Sequence, residues 1–148
     1  MLTTNQKGAI AETAVAHRAY RLGIDVYRPM AEGGRYDLVF GIGPRLLRIQ
    51  CKWATLQNDA VIVRCYSCRR SPEGLIRRRY TTDEIDAFAA YCMEIDRCFY
   101  LPIARFPGHT VIHLRLGPAR NNQRAGVNRA DDYDFVRLDL DNSAIEGP

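Results

Sequence analysis

The sequence predicts an α/β domain with a central mixed β-sheet flanked by helices. The first supporting observation is the helical spacing of apolar residues near the N-terminus and again near residue 90. The second is a series of short runs, rich in β-branched and other apolar residues, that are typical of strands. The third is length, because 148 residues fit one domain and a 47% hydrophobic content supplies a core without disulfides.

Two helices are predicted from capping signals and periodicity. Residues 3–22 are rich in alanine, carry apolar side chains at helical spacing and end before Gly23, which suits a helix C-terminus. Thr81 and Glu84 have the spacing of a capping box, so a second helix is expected over residues 82–96. An apolar stripe along that second segment agrees with a helix that packs on a sheet.

Strands are predicted at residues 25–29, 36–40, 46–56, 60–66, 98–104 and 110–116. Pro29 cannot donate to a ladder, which places the first strand at a sheet edge. Residues 41–44 form the turn between the second and third strands. Residues 117–133 are polar and are expected to be a surface segment with little regular structure.

The composition argues against a membrane or secreted protein. The chain lacks a run of about 20 apolar residues, which a membrane span needs. Its first seven residues are polar and do not form a signal core. The odd number of cysteines, five, is simplest to explain as free thiols in the cytoplasm. A cytoplasmic protein of a single domain, spanning residues 1–148, is therefore expected.

The charge is unevenly distributed although the net value is only +4. Residues 64–79 carry six arginines against Glu73 alone, whereas acidic residues dominate from Asp131 onward. A polyanion would be drawn to the first region and repelled from the second. A solvated basic loop remains the plain alternative, but the segment is a candidate for DNA contact.

The hairpin formed by residues 36–52 gathers the polar residues that carry the chemistry. Counting outward from a turn near Gly43 places Asp37 beside Ile49 or Gln50 on the neighbouring strand. Gln50 and Lys52 are two positions apart, so they share one face of their strand. Their neighbours are strongly apolar, and placing these groups among them costs desolvation unless they pair or bind an ion.

Oxygen donors in this arrangement suit a hard divalent cation such as Mg²⁺ or Mn²⁺. Asp37 and the amide oxygen of Gln50 can supply two ligands, and Glu12 lies on a face of the first helix from which it could reach the sheet. Such a metal polarises a phosphoryl oxygen and activates water near neutral pH. Lys52 could orient that water or offset charge on phosphorus.

Three motifs in these elements resemble the PD-(D/E)XK nuclease superfamily. They are KGAIAE at residues 7–12, RYDLV at residues 35–39 and IQCK at residues 49–52. The superfamily signature is a helix glutamate, a strand aspartate and (D/E)-x-Lys on the next strand. The Gln-x-Lys form is similar to the homing endonuclease branch associated with group I introns, and further similarity continues over most of the chain.

The resemblance implies a restriction-endonuclease-like core and a metal-dependent endonuclease that acts on double-stranded DNA as a homodimer or tetramer. It implies that Glu12, Asp37 and Gln50 bind the metal and that Lys52 assists them. Two departures are visible: Arg35 and Tyr36 stand where a proline usually precedes the aspartate, and Gln50 replaces an acid. Because glutamine is uncharged, one metal is favoured over two.

Candidate DNA contacts fall in two polar sets. The first lies in the basic segment and consists of Arg69, Arg70, Arg77, Arg78 and Arg79, which the sequence places in a loop after a strand. The second lies in the polar surface segment and consists of Asn121, Asn122, Gln123 and Arg124. Phosphate contacts position a protein on DNA, whereas Asn, Gln and Arg side chains can also read base edges.

Other functions remain as alternatives. A Holliday-junction resolvase or a restriction-type nuclease would share the fold, and a catalytically inactive DNA-binding module is made plausible by Gln50. A zinc site at Cys65 and Cys68 is disfavoured because no second Cys-x-x-Cys pair follows. No nucleotide cofactor is expected, since Gly41 and Gly43 lack the partners of a phosphate-binding loop.

Overall fold

The computed structural model describes residues 1–117 and 126–138 of the chain. The regular elements in these ranges are α1 (Thr4–Arg21), β1 (Asp25–Tyr27), β2 (Leu38–Ile42), β3 (Arg45–Gln57), β4 (Ala60–Arg64), β5 (Tyr66–Ser71), β6 (Gly74–Arg79), β7 (Ala87–Cys92), β8 (Arg97–Pro102), β9 (Val111–Arg115) and β10 (Asn128–Arg129). Short 3₁₀ helices lie at Ile103–Arg105, Ala130–Tyr133 and Phe135–Leu138. None of the described helices combines the length and apolar content that crossing a membrane requires.

The first helix forms where the sequence predicts it. A capping box closes its N-terminus, because the Thr3 hydroxyl accepts from the Gln6 backbone N–H while the Gln6 side chain accepts from the Thr3 N–H. The chain leaves the helix at Gly23, whose φ of 80° is readily adopted only by glycine. Ala11 and Val15 are fully buried against the sheet, so the helix packs through small side chains.

β3 is the organising strand of a mixed sheet. It pairs antiparallel with β2 over its first part, parallel with β7 over Ile49 to Ala54, and antiparallel with β4 at its end. The sheet runs in the order β1-β2-β3-β4-β9-β10, with β7 and β8 attached through β3. The predicted strands are therefore present, with ends shifted by a few residues.

The sheet separates two apolar cores. Leu47, Ile49 and Cys51 of β3 point toward α1 and belong to the first core. Ala54 of β3 and Phe88 of β7 belong to a second core on the opposite face. Because side chains alternate along a strand, this division directs the intervening residues of β3, including its polar ones, away from α1.

The prediction of a second helix over residues 82–96 is wrong. Residues 82–96 contain a turn followed by β7, whose six residues are all buried and pair with β3 on one side and β8 on the other. The sequence of a strand that is buried on both faces is a continuous run of apolar residues. Hydrophobic periodicity alone does not distinguish such a run from the sequence of a buried helix. Glu84 does accept from the Thr81 N–H, but that contact closes a single turn. The predicted α/β class with a central mixed sheet is confirmed, and among the described residues α1 is the one α-helix that packs on it.

The basic segment is also not the loop that the sequence suggests. Residues 66–79 form an antiparallel hairpin of β5 and β6, which is a separate two-stranded sheet. Within the polar surface segment, β10 pairs parallel with β9 and a 3₁₀ helix follows, so its described part has some regular structure. Four of the predicted contacts lie outside the described residues: Asn121, Asn122, Gln123 and Arg124.

The register of β2 and β3 can be tested with two adjacent leucines. Leu47 is 2% exposed in the first core, whereas Leu46 is 68% exposed on the opposite face. Leu47→Ala should lower the free energy of unfolding by about 2–5 kcal/mol because it leaves a cavity. Leu46→Ala should change it by less than about 0.5 kcal/mol. Denaturant unfolding of both variants measures this, and a reversed order would mean that the strand is shifted by one residue.

Candidate active site

The pairing of β2 with β3 places Asp37 next to Gln50. Leu38 pairs with Ile49, and the Asp37 N–H donates to the Ile49 carbonyl at 2.8 Å, so the next opposing pair is Asp37 and Gln50. Oδ2 of Asp37 accepts from the Cys51 N–H at 3.0 Å. The carboxylate therefore lies against the backbone between Gln50 and Lys52, as the count from the hairpin turn predicts.

Gln50 and Lys52 share the face of β3 that points away from α1. Both are half-buried and alternate with the buried residues Ile49 and Cys51. Nε2 of Gln50 makes a long contact of 3.4 Å to the Cys51 carbonyl, which turns the amide oxygen of the same side chain away from that carbonyl. An oxygen donor and an amine thus project from one side of the sheet.

Glu12, on α1, lies within electrostatic range of Asp37. Its carboxylate lies 3.7 Å from Arg28 and its side chain is half-buried. Burial raises the pKa of the buried Cys51 thiol well above its usual value, and the charges of Asp37 and Glu12 add to that effect. The charge of Asp37 also contributes to the raised pKa of Glu12, so the helix glutamate and the strand aspartate are electrostatically coupled.

Burial works against the charge of both carboxylates. It raises the pKa of Glu12, with a further contribution from the charge of Asp37, while Arg28 acts in the opposite direction. Burial also raises the pKa of Asp37, although the hydrogen bond from Cys51 and the charge of Lys52 partly compensate. Two half-buried carboxylates with raised pKa values form a place where an added positive charge is favourable.

Lys52 places a cationic side chain on the same sheet face as Gln50. Nζ donates to the Tyr66 carbonyl at 2.8 Å and lies 4.9 Å from the centroid of the Tyr80 ring. Burial lowers the pKa of Lys52, and the charge of Asp37 raises it in part. The Lys52 amine and the Asp37 carboxylate therefore interact electrostatically and do not lie on opposite faces of the sheet.

The donor chemistry fits a hard divalent cation. Two carboxylates and one amide contribute only oxygen atoms, which are the ligands that Mg²⁺ and Mn²⁺ prefer. Among residues 1–117 and 126–138, no three His, Cys, Asp or Glu side chains are grouped so as to hold a metal ion. The set consequently reaches three protein donors only when Gln50 joins Glu12 and Asp37.

The predicted arginine contacts lie on the β5–β6 hairpin. Arg69 and Arg70 on β5 are exposed, as is the whole of β6. Arg78 pairs with Glu84 at 2.9 Å, and the guanidinium of Arg77 lies 4.8 Å from the Tyr66 ring. Most of the arginine charge on the hairpin is therefore presented to solvent beside the active-site face.

Arg35 ties this hairpin to the site, and the sequence did not indicate that role. Its guanidinium pairs with Glu84 at 2.9 Å, donates to Ser67 Oγ at 2.9 Å and donates to the Arg79 carbonyl at 2.7 Å. Ser67 and Arg79 belong to the two strands of the hairpin. The sequence feature that could have indicated this role is the arginine that begins the RYDLV motif, close to the position where the family usually has a proline.

A groove of about 480 Å³ separates the hairpin from the loop that precedes β2. It is lined by Gly33, Gly34, Arg35, Ser67, Arg69, Ile76, Arg77, Arg78 and Tyr80. Because Tyr80 also contacts Lys52, the groove leads toward the candidate active site. Its four arginines make it suited to a polyanion.

Comparisons with known proteins agree with this geometry. The sequence profile of the family described as "PD-(D/E)XK endonuclease" matches residues 2–136, a span that includes all four candidate site residues. A solved structure titled "The structure of a bacterial homing endonuclease: I-Ssp6803I" aligns with a TM-score of 0.75 and 26% sequence identity. The alignment covers 94% of this chain and 93% of that chain. No curated protein sequence matches significantly.

Proposed function

This chain belongs to the PD-(D/E)XK endonuclease family, and we propose that it is a site-specific homing endonuclease that cleaves double-stranded DNA with a divalent cation. One observation carries the proposal: the β2–β3 pairing brings Asp37, Gln50 and Lys52 together. The structural likeness to a bacterial homing endonuclease supports the same substrate class.

Glu12, Asp37 and Gln50 are the residues that would hold Mg²⁺ or Mn²⁺. The raised pKa values of the two carboxylates support this assignment, because a cation relieves the electrostatic penalty of keeping both ionised. When bound, a divalent cation supplies Lewis acidity, which polarises the phosphoryl oxygen and makes water a nucleophile near neutral pH. The neutral amide of Gln50 supports a site for one metal rather than two.

Lys52 is proposed to act on the reacting phosphate. Its ammonium lies on the Gln50 side of β3 and is already desolvated, so its charge is only weakly screened there. It would offset the negative charge that develops on the phosphoryl group as water attacks in line, and it would orient that water. The products would be 5′-phosphate and 3′-hydroxyl ends.

The β5–β6 hairpin is proposed as the main DNA contact. A two-stranded ribbon fits the major groove, and exposed arginines on both strands can reach phosphates or base edges. The candidate residues are Arg69, Arg70, Arg77, Arg78 and Arg79. Asn121, Asn122, Gln123 and Arg124 form a second proposed contact.

Cutting both strands of a duplex needs two active sites, and each chain carries one candidate site. The enzyme is accordingly proposed to act as a homodimer or tetramer. Its action on cellular DNA agrees with a cytoplasmic location.

Asp37→Asn and Lys52→Ala should each abolish DNA cleavage while leaving the fold and most DNA affinity intact. The first removes a ligand charge, and the second removes the amine that faces the phosphate. Nicking of a supercoiled plasmid that carries a site selected by wild-type binding from a randomised DNA library measures the effect, under protein excess, with Mg²⁺ or Mn²⁺ and with EDTA as the metal-free reference.

Asp25→Asn and Lys7→Ala are matched controls that remove the same chemical groups away from the site. Asp25 lies on β1 opposite Gly41, toward the β2–β3 turn, and Lys7 lies on α1 with its amine 5.9 Å from the Trp53 ring. Both controls should cut normally. Unchanged cleavage by Asp37→Asn or Lys52→Ala would remove that residue from the mechanism. Wild-type protein that binds plasmid DNA but never nicks it would instead be an inactive DNA-binding module.

Neutralising a hairpin arginine should weaken DNA binding in a salt-dependent manner. If Arg69 contacts a phosphate, Arg69→Gln reduces the slope of log affinity against log salt by about 0.9, since one fewer counterion is released. Arg21→Gln, at the exposed end of α1, makes the same change in net charge and should leave the slope unaltered. Equal slopes for both variants would show that Arg69 makes no phosphate contact.

A further inference from the structure

The Lys52 amine is held by residues from the two ends of the β5–β6 hairpin. Tyr66, which accepts its hydrogen bond at 2.8 Å, is the first residue of β5. Tyr80, whose ring centroid lies 4.9 Å from Nζ, directly follows β6. A lysine side chain has four rotatable bonds, so without such contacts its ammonium would sample many positions.

Tyr80 is itself fixed in place. Its ring makes an edge-to-face contact with the buried Phe88 ring at 5.4 Å, and the Arg35 guanidinium lies 3.8 Å from its centroid. Burial raises the pKa of Tyr80, so the phenol stays neutral at neutral pH and presents an ordinary aromatic surface. Aromatic rings attract cations placed within about 6 Å of the centroid.

We propose that Tyr80 is a positioning residue that holds the Lys52 amine where the scissile phosphate is cleaved. The inference rests on the proposed function, because it assigns Tyr80 a role in that same site. Tyr80 touches neither the carboxylates nor the reacting atoms in this assignment, and it acts only through Lys52. Loss of the ring would slow cleavage much more than it weakens DNA binding, although Tyr80 also lines the groove beside the hairpin.

Tyr133 provides a matched control for a merely structural effect. It is also half-buried, packs on the same second core and contacts an aromatic ring, that of Phe106, at 5.4 Å. A cation also lies near its ring, since the Arg105 guanidinium is 6.0 Å from the centroid. Tyr133→Leu therefore removes comparable packing but leaves Lys52 untouched.

The test compares wild type, Tyr80→Leu, Tyr80→Phe and Tyr133→Leu in plasmid nicking with Mn²⁺ under protein excess. Tyr80→Leu should cut about tenfold more slowly, the size of effect that a desolvated cation–aromatic contact supports. Tyr80→Phe keeps the ring and should restore cutting, and Tyr133→Leu should cut normally. Affinity for the same plasmid fragment, measured in EDTA, should stay within about twofold for all variants.

A second measurement needs no cleavage and covers the case in which Tyr80→Leu fails to fold. The sequence contains only two lysines, Lys7 and Lys52, so lysine labelled with ¹³C gives two sets of NMR signals. In the wild-type protein the methylene next to Nζ of Lys52 should be shifted upfield by the Tyr80 ring. Tyr80→Phe should keep that shift, and Tyr133→Leu should not alter it.

The outcomes separate the two claims. Absence of cleavage by the wild-type enzyme overturns the proposed function, and the role of Tyr80 in it. Wild-type cleavage together with equally fast cleavage by folded Tyr80→Leu overturns the positioning role alone. A Lys52 methylene at its random-coil position in wild type also overturns it, because the contact is then absent.

Discussion

The desolvation of two carboxylates beside one strand is the constraint on which the site depends. β3 must bury Leu47, Ile49 and Cys51 against α1, and alternation then forces Gln50 and Lys52 to the other face. Asp37 meets this strand because its neighbour Leu38 pairs with Ile49. Burial penalises its charge, and the Cys51 N–H and Lys52 offset only part of that penalty. The same packing that makes the core therefore creates a place that favours a cation.

The binding and chemical parts of the molecule are physically joined. The β5–β6 hairpin is not part of the main sheet, yet its two ends contact active-site residues. Lys52 donates to the Tyr66 carbonyl at its start, and Arg35 donates to the Arg79 carbonyl at its end. Because the β5–β6 hairpin is attached at these points, DNA bound to its arginines would be held at a fixed distance from the site. Tyr80 lies between the two attachments and contacts both cations.

Local patterns in the sequence were enough to predict α1 and the β2–β3 hairpin, and with them the neighbourhood of Asp37, Gln50 and Lys52. The motif resemblance is confirmed by the family match over residues 2–136. The helix predicted over residues 82–96 is wrong because β7 is buried on both faces and shows no alternation to reveal a strand. The β5–β6 hairpin was not predicted because its strands are rich in exposed arginines and lack the alternation of apolar and polar residues that indicates a strand. The contacts of Arg35 with Glu84 and Ser67 join residues about 30 to 50 positions apart, which no local pattern encodes.

The free energy of unfolding of wild type and Asp37→Asn, with and without Mg²⁺, tests the central claim most directly. Because the folded state raises the pKa of Asp37, it binds that proton more tightly than the unfolded chain, and the ionised carboxylate weakens folding at neutral pH. Asparagine removes the charge and can still accept from the Cys51 N–H. The variant should therefore be at least as stable as wild type without metal, and Mg²⁺ should stabilise only the wild type. A less stable metal-free variant, or equal stabilisation of both proteins by Mg²⁺, would contradict a cation site at Asp37.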